Sequence, residues 1–363
     1  MKQYKVLGEK EYSMGIRREE IILRDNRVCE CIILTNSKGA FVEVLTLGGI
    51  LKSVNVADAK GKIENVVLEY EDVNTYIENP GYINAIIGRT AGRIHQGRFT
   101  LNDKIYELQQ NENTHTLHGG SSGFDKKIWH VESLEKNELL YVTLGYTSND
   151  LEEGYPGTLK VKVTYTFSED NVLGIDYEAI ADQDTLVNLT NHVYFNLSGN
   201  GKRPITNQQL RIKSDFICEL DNESIPTGKL LEVAKEKVFD FNEGKLIGRD
   251  IEENHMQLQY TKGYDHPWLI KEGNDCVVMY DSDSKRKMQI TTDQKAVVVY
   301  SMNYTNPSQF KGGIKDGVRY GICFETQGLP IGYDEVFKDQ IILKKGDQYT
   351  HRTQFKFSCD ELF

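Results

Sequence analysis

Apolar and polar residues alternate with a period of two along much of this chain. Between Leu159 and Phe167 every second residue is apolar, and the residues between them are lysines and threonines. This alternation predicts a β-strand that buries one face. The turn sequence Glu169-Asp170-Asn171 follows, and the alternation resumes at Leu173, so the two strands are predicted to form a hairpin.

Comparable patterns predict strands along most of the chain. They lie at residues 41–47, 51–56, 64–68, 98–108, 209–220, 287–292, 296–302, 340–343 and 349–357. Long amphipathic helical patterns are nearly absent, and one short helix is predicted at residues 16–23. Many strands at short spacing, without helices between them, favour an all-β fold built as a large antiparallel β-sandwich.

The length of 363 residues leaves room for one large all-β domain or for two ordinary domains. No linker rich in proline, glycine and serine divides the chain. We therefore predict an N-terminal extension at residues 1–30 and a single β-sandwich domain at residues 31–363.

The charge balance limits the possible binding partners, and the cysteines indicate the cellular compartment. The formal net charge is −11, and the lysines and arginines are interspersed with acidic residues, so we expect neither nucleic acid nor a membrane as a partner. No apolar run suits a secretory signal near the N-terminus or a bilayer span. The six cysteines include no C-x-x-C pair, which predicts a reduced, cytoplasmic location without structural zinc.

In one segment, Val187 to Leu197, apolar and polar residues alternate, and the polar face carries no full charge. That face would carry five hydrogen-bonding side chains: Asn188, Thr190, His192, Tyr194 and Asn196. Amide, hydroxyl and imidazole groups in a row suit a neutral polyol such as a sugar, which needs many donors and acceptors in fixed places. The alternative is that these side chains satisfy the backbone of loops packed over the strand.

Two further segments carry a histidine or an aspartate in a turn-rich context. His118 precedes the glycine pair of Leu117-His118-Gly119-Gly120, where a tight turn would leave its ring accessible, although a loop histidine with satisfied hydrogen bonds is the commoner case. Asp265 and His266 are adjacent, so in a strand they point to opposite faces and do not act as a pair. The alternative for Asp265 is a turn in which it caps backbone amides.

The fourth segment places Glu325 directly after an apolar run. In a strand, Glu325 would share a face with Cys323 and Gln327, away from Phe324. A partly buried carboxylate needs a partner or a raised pKa, and both are typical of functional sites. The alternative is a salt bridge at the end of a strand.

Together these segments resemble the aldose 1-epimerase (galactose mutarotase) family, in family order and over roughly residues 30–363. The matching stretches are Gly88-Arg89-Thr90-Ala91-Gly92-Arg93-Ile94, Thr116-Leu117-His118-Gly119-Gly120 with Gly123-Phe124, Glu152-Glu153-Gly154-Tyr155-Pro156-Gly157, Val187-Asn188-Leu189-Thr190-Asn191-His192, Tyr194-Phe195-Asn196-Leu197, Gly263-Tyr264-Asp265-His266 and Glu325-Thr326-Gln327. The resemblance implies a galactose mutarotase-like supersandwich that binds a small-molecule sugar on a concave face, without a cofactor or a metal. We expect a monomer or a homodimer.

The resemblance also implies roles for five residues. Glu325 would be the general base and His192 the general acid, and His118 would assist at the ring oxygen. Arg93 and Asp265 would bind sugar hydroxyls. A carboxylate and an imidazolium suit the chemistry, because neutral pH lies above the ordinary pKa of glutamate and near that of histidine. We expect a neighbouring carboxylate to raise the pKa of His192.

Three positions depart from the family pattern and leave the preferred sugar open. Gly92 stands where relatives often have asparagine, and Val298 stands where they often have glutamine. Galactose and glucose are then expected to bind more weakly, or a larger sugar to fill the space. Pro267-Trp268 is also unusual after Asp265-His266, and Trp268 is expected to narrow or extend the pocket.

Four other functions remain open from the sequence. A relative could act on a pentose or a disaccharide, and Glu325 with Asp265 could mimic the two carboxylates of a glycoside hydrolase. An epimerase for phosphorylated sugars is less favoured, because the basic residues near these segments are few beyond Lys126 and Lys127. A non-catalytic sugar-binding protein is disfavoured by the presence of both Glu325 and His192.

Overall fold

Antiparallel strands are the main regular secondary structure in the computed structural model, which describes residues 13–271, 273, 275–314 and 317–360. In chain order the strands are β1 (Gly15–Ile22), β2 (Val28–Thr35), β3 (Phe41–Leu45), β4 (Leu51–Ala57), β5 (Ile63–Asn65), β6 (Ile86–Ile87), β7 (Arg93–Ile94), β8 (Arg98–Leu101), β9 (Lys104–Glu107), β10 (Thr116–Leu117), β11 (His130–Lys136), β12 (Leu140–Ser148), β13 (Leu159–Phe167), β14 (Val172–Ala181), β15 (Thr185–Leu186), β16 (Thr190–Asn191), β17 (Tyr194–Phe195), β18 (Gln209–Ile212), β19 (Ser214–Leu220), β20 (Pro226–Glu232), β21 (Lys245–Leu246), β22 (Asp265–Ile270), β23 (Val277–Tyr280), β24 (Lys287–Thr292), β25 (Ala296–Tyr300), β26 (Ile322–Gln327), β27 (Ile342–Leu343) and β28 (Gln348–Ser358).

Helical structure is sparse in the same residues. The α-helix α1 spans Met256–Thr261. Short 3₁₀ turns lie at Val73–Ile77, His95–Gly97, Phe124–Lys126, Glu152–Gly154, Ile205–Asn207, Lys237–Phe239, Lys311–Gly313, Tyr333–Glu335 and Lys338–Ile341. None of the described helices has the length and apolar character needed to cross a bilayer.

Three larger sheets contain most of these strands. The first has nine strands in the order β11-β12-β13-β14-β28-β24-β23-β18-β21, the second has six in the order β17-β26-β25-β22-β19-β20, and the third has five, β1 to β5, in sequence. Apolar side chains from all three sheets meet in one core, for example Tyr165 of β13, Val42 of β3 and Phe324 of β26. The molecule is therefore an all-β antiparallel sandwich, as the alternation predicts.

Several predicted strands match the structure closely. β13 has the predicted bounds, Leu159–Phe167, and Lys160 and Lys162 are exposed while Val161 and Val163 are buried. β13 and β14 form the predicted hairpin, and Asn171 in the connecting turn has a φ of 56°. β24 also has the predicted bounds.

Other predictions require correction. Residues 15–22 form strand β1, paired with β2, and not the predicted helix at 16–23. The predicted strand at 98–108 is a hairpin of β8 and β9, because Asn102 and Asp103 both adopt positive φ angles and turn the chain. The predicted strand at 209–220 is split into β18 and β19, which belong to different sheets. Residues 1–12 of the predicted extension lie outside the described residues, and the boundary at residue 30 stays a prediction.

The six-stranded sheet positions the functional side chains. In β26, Phe324 points into the core, whereas Cys323, Glu325 and Gln327 alternate with it and point away. β25 pairs Val298 with Glu325, and β22 pairs Pro267 with Val298. The face of this sheet turned away from the core therefore forms the floor of a pocket.

Candidate active site

A pocket of about 310 Å³ lies on the outer face of the six-stranded sheet, and loops from other sheets form its walls. It contains all five residues that the family resemblance assigns to the site: Arg93, His118, His192, Asp265 and Glu325. Further lining residues include Tyr82, Gly92, Glu112, Tyr194, Val298, Tyr300, Tyr304, Gln327 and Pro330. Residues separated by more than 200 positions in sequence thus meet in one concave, partly apolar site.

Glu325 lies on the floor of the pocket and is 2% exposed. Its Oε1 is 3.4 Å from Nε2 of His192, and its Oε2 has no hydrogen-bond partner among the described residues. Burial raises the pKa of this carboxyl well above its ordinary value, the charge of Asp265 adds to that shift, and Arg93 opposes it. The alternative of a salt bridge at a strand end does not describe Glu325, because its nearest basic partner among the described residues is His192, whose pKa is lowered.

His192 lies between β16 and β17 and is 4% exposed. Its backbone is fixed on both sides, because its N–H donates to the carbonyl of Ala85 and its carbonyl accepts from Asn84 N–H. Burial lowers the pKa of His192 to about 4. The expectation that a neighbouring carboxylate raises this pKa is therefore wrong, because the desolvation of the imidazolium outweighs any attraction to Glu325.

His118 reaches the pocket through a strained turn. It has a φ of 52°, and Gly119 follows with a φ of 87°. A Cβ on Gly119 would lie 2.0 Å from the carbonyl oxygen of Gly88, so only glycine permits this close approach. The Nδ1 of His118 accepts a hydrogen bond from Gly92 N–H at 3.2 Å, which leaves the ring proton of the neutral imidazole on Nε2. Burial lowers the pKa of His118 well below its ordinary value, so the ring is neutral.

Arg93 and Asp265 line the pocket together with Glu112. Glu112 holds the Arg93 guanidinium in a two-point pair, with Nε to Oε2 at 2.5 Å and Nη2 to Oε1 at 2.8 Å. Burial raises the pKa of Asp265 to about 7, although the charge of Arg93 opposes the shift. His266 points to the opposite face, toward Gln257, as the strand alternation predicts. Sequence reasoning missed Glu112, which lies in a polar loop without a recognisable pattern.

The polar row from Asn188 to Asn196 serves two purposes. Asn188 Nδ2 donates to the carbonyl of Gly328 at 3.0 Å, and Thr190 Oγ1 donates to that of Thr326 at 2.9 Å. Asn196 Nδ2 donates to the carbonyls of Arg203 and Tyr320. The alternative, that these side chains satisfy the backbone of packed loops, is thus correct for Asn188 and Asn196, whereas Thr190 bonds to strand β26. His192 and Tyr194 are the two that line the pocket.

The unusual positions have different surroundings. Gly92 has a φ of 74°, and a Cβ there would lie 2.6 Å from Cγ of Pro330, so the proline occupies the space beside it. Val298 lines the floor of the pocket. Trp268 does not face the pocket: it is fully buried in the core, where its Nε1 donates to the carbonyl of Phe239 at 3.2 Å.

Gln327 is a second site residue that the sequence analysis did not select. It is completely buried, and its Oε1 has no hydrogen-bond partner among the described residues. Its Nε2 donates to the carbonyl of Gly328 at 3.1 Å. Its position two residues after Glu325, on the same face of β26, was the available signal.

One group of side chains has the composition of a metal site. Single ligand atoms of His118, His192 and Glu325 lie within 4.8 Å of one another. Zinc–ligand bonds of about 2.0–2.2 Å place the atoms around one tetrahedral ion about 3.3–3.6 Å apart. The observed spread is wider, so we assign no metal ligands here.

Comparison with known proteins identifies the family. The sequence model described as Aldose 1-epimerase matches residues 30–356. Galactose mutarotase from Rattus norvegicus is 36% identical over 324 residues, which cover 87% of this chain and 91% of the relative. Aldose 1-epimerase from Haemophilus influenzae is 33% identical over 338 residues, covering 92% of this chain and 97% of the relative.

A solved structure agrees with these sequence matches. The crystal structure of galactose 1-epimerase from Lactobacillus acidophilus has a TM-score of 0.85 and 27% identity, and the match covers 95% of this chain and 99% of that one. Fold, pocket and sequence therefore agree: the chain belongs to the aldose 1-epimerase family of isomerases.

Proposed function

We propose that this enzyme interconverts the α and β anomers of a free aldose by acid–base opening of the sugar ring, with Glu325 as base and His192 as acid. The observation that carries the proposal is the approach of one buried carboxyl and two imidazoles, from Glu325, His192 and His118, within 4.8 Å in a single pocket. Ring opening needs one group that takes a proton and another that gives one, and these side chains can do both.

The two catalytic groups are coupled through their charges. The pKa of Glu325 is raised and that of His192 is lowered to about 4, so burial favours the neutral form of both groups. A sugar hydroxyl that donates to the unpartnered Oε2 favours the carboxylate form. Sugar binding thereby stabilises the Glu325 carboxylate, whose charge in turn favours the His192 imidazolium, so the base and the acid form together.

Each proton returns to its source during the reaction. The Glu325 carboxylate takes the proton of the C1 hydroxyl, and the His192 imidazolium protonates the ring oxygen. The bond between C1 and the ring oxygen breaks, and a C1 carbonyl forms. After rotation about the C1–C2 bond the ring oxygen attacks the other face of C1, His192 recovers its proton, and Glu325 returns a proton to the C1 oxygen. The Nε2–H of His118 is available to polarise the ring oxygen.

The substrate we propose is a single unphosphorylated aldohexose such as galactose or glucose. A pocket of about 310 Å³ is at the small end of the range of about 300–1,000 Å³ for small-molecule sites, which favours a monosaccharide over a disaccharide. The free Oε1 of Gln327 offers an acceptor where Gly92 and Val298 provide none. Lys126 and Lys127 are paired with Asp125 and Glu152, so neither supports a phosphate site.

The Glu325→Gln variant tests this function. Glutamine keeps the shape of the side chain and removes its basic oxygen, so kcat for freshly dissolved α-galactose or α-glucose should fall at least about 10²-fold, with KM largely kept. Polarimetry follows the change in optical rotation, and pentoses and disaccharides are run in parallel. Near-wild-type mutarotation by the purified variant would exclude Glu325 as the base. A pentose or disaccharide preferred over every hexose would overturn the substrate assignment.

We also propose a cytoplasmic location and a monomer or homodimer. All six cysteines are free thiols, and five of them are buried, as expected in a reducing compartment. Light scattering of the purified protein measures the assembly state, and a mass above that of a dimer would contradict the second part.

A further inference from the structure

The side of His192 opposite Glu325 is covered by a thiol. Cys323 precedes Glu325 by two residues on β26 and points to the same face, and it pairs across the sheet with Tyr194 of β17. Its Sγ is 3.4 Å from Nδ1 of His192, and Cys323 is completely buried. Among the side chains of the described residues, this thiol is the one hydrogen-bond partner of Nδ1. His192 is thus held between Cys323 at Nδ1 and Glu325 near Nε2.

The chemistry of a thiol fixes how the imidazole is protonated. A neutral imidazole has one donor and one acceptor nitrogen, and an S–H group is a weak donor whose sulfur is a weak acceptor. Burial raises the pKa of Cys323 well above its ordinary value, and the charges of Glu325 and Asp265 add to this, so the thiol keeps its proton. An S–H that donates to Nδ1 leaves the ring proton on Nε2, on the side of Glu325 and the pocket.

The same contact changes character when His192 becomes charged. An imidazolium carries protons on both nitrogens, so the sulfur must then accept from Nδ1–H. A carboxylate or a backbone carbonyl at that position would stabilise the cation strongly, whereas sulfur does so weakly. A weakly stabilised imidazolium gives up its Nε2 proton more readily.

We propose that Cys323 is a positioning residue of the reaction: its thiol selects the Nε2-protonated form of His192, aims that nitrogen at the pocket, and keeps the imidazolium a ready proton donor. The proposal rests on the proposed acid role of His192. It assigns no contact between Cys323 and the sugar.

Other groups around His192 are unchanged by substitutions at Cys323. Those that face the ring are Glu325 on β26, Tyr300 on β25, the neighbouring Tyr194, and Tyr82 and His118 from loops. If the pKa of His192 shifts in a Cys323 variant, the cause is therefore the changed atom beside Nδ1.

Two variants are expected to shift the alkaline limb of the kcat–pH profile in opposite directions. Cys323→Ser places a stronger acceptor at Nδ1, so the alkaline limb of the kcat–pH profile should shift upward by about 0.5–1 unit. Cys323→Ala removes the acceptor, so that limb should shift downward by a similar amount and kcat near neutral pH should fall several-fold, with KM within about twofold of wild type. A loss of stability alone would not produce opposite shifts.

Two other buried cysteines provide matched controls. Cys276 Sγ is 3.2 Å from the carbonyl of Ile290, and Cys218 Sγ is 3.7 Å from the carbonyl of Glu219, and neither lines the pocket. Cys276→Ser and Cys218→Ser should leave the pH profile unchanged. Profiles of both Cys323 variants that overlay the wild-type profile would overturn the proposal.

A measurement independent of activity separates this proposal from the proposed function. Nitrogen NMR of the ¹⁵N-histidine-labelled, sugar-free enzyme distinguishes the two protonation forms of the ring, with His192→Asn used to assign the signals. We expect His192 to be protonated on Nε2 in the wild type. Protonation on Nδ1 would overturn the proposal even if the enzyme is active, and protonation on Nε2 would support the thiol contact even if mutarotation failed to depend on His192.

Discussion

Asp265→Asn is the change whose effect on stability follows most directly from the structure. The pKa of this carboxyl is raised from 3.8 to about 7, chiefly by burial. The folded state therefore binds a proton that the unfolded state has already released between about pH 4 and pH 7, so the carboxyl lowers the stability of the fold as pH rises through that window. Asparagine has the same shape and no such dependence.

The size of the effect follows from the shift. A difference of about 3 pKa units corresponds to about 4 kcal/mol at pH 8, if the carboxyl is fully shielded from solvent. Because Asp265 is partly exposed where it lines the pocket, we expect about half of that value, roughly 2 kcal/mol. The stability of the variant relative to wild type should thus increase by about 2 kcal/mol between pH 4.5 and pH 8.

Urea unfolding of both proteins at pH 4.5, 6 and 8 measures this difference. Asp184→Asn is the control, because backbone N–H of Lys345 and the ammonium of Lys344 lower the pKa of Asp184 to about 2. Its stabilising contribution is complete above its ordinary pKa, so that variant should be less stable than wild type by an amount that stays constant from pH 5 to 8. If the Asp265→Asn difference is equally flat, the reasoning about burial is refuted.

The other predictions concern the roles of individual pocket and core residues. His192→Asn should abolish most mutarotation, because an amide cannot protonate the ring oxygen, whereas His118→Asn should reduce mutarotation less. pH–rate profiles of both variants test this. Loss of the alkaline limb only in His118→Asn would show that the roles of the two histidines are exchanged. Val298→Gln adds an amide that can hydrogen-bond a sugar hydroxyl, so KM for galactose or glucose should fall by about 2–10-fold. An unchanged KM in the polarimetric assay would count against Val298 as a specificity position. Trp268→Phe should lower the free energy of unfolding in urea by about 1–3 kcal/mol, because packing and the hydrogen bond to the carbonyl of Phe239 are lost. KM should stay unchanged, since this side chain lies in the core.

Sequence alternation predicts strands well where one face of the sheet meets solvent. β13 is such a case, because Lys160 and Lys162 are exposed between buried apolar residues. The same reasoning is misleading for residues 187–197, where both faces are buried and only the two-residue strands β16 and β17 form. It also fails for β1, whose exposed residues 17–20 are held at a sheet edge by pairing with β2, a non-local contact.

Part of the site could be predicted because the motifs meet in space for physical reasons. Arg89 is a good example: its buried guanidinium donates to Ser148 and to the carbonyls of Asn149 and Pro156. This side chain connects the segment that carries Gly92 and Arg93 to the Glu152–Gly157 region, so the motif has a structural function. Glu112 could not be predicted, since its role depends on where Arg93 lies after folding.

The pocket concentrates ionisable groups that burial drives toward their neutral forms. Glu325 and Asp265 have raised pKa values, and His192 and His118 have lowered ones. Such groups cost stability until a ligand supplies the missing hydrogen bonds, as a sugar would for Oε2 of Glu325 and Oε1 of Gln327. A sugar that lacks the matching hydroxyl leaves a buried polar atom without a partner, and this penalty is larger than that for an added or missing methylene. The pocket should therefore discriminate among aldoses mainly by the positions of their hydroxyl groups.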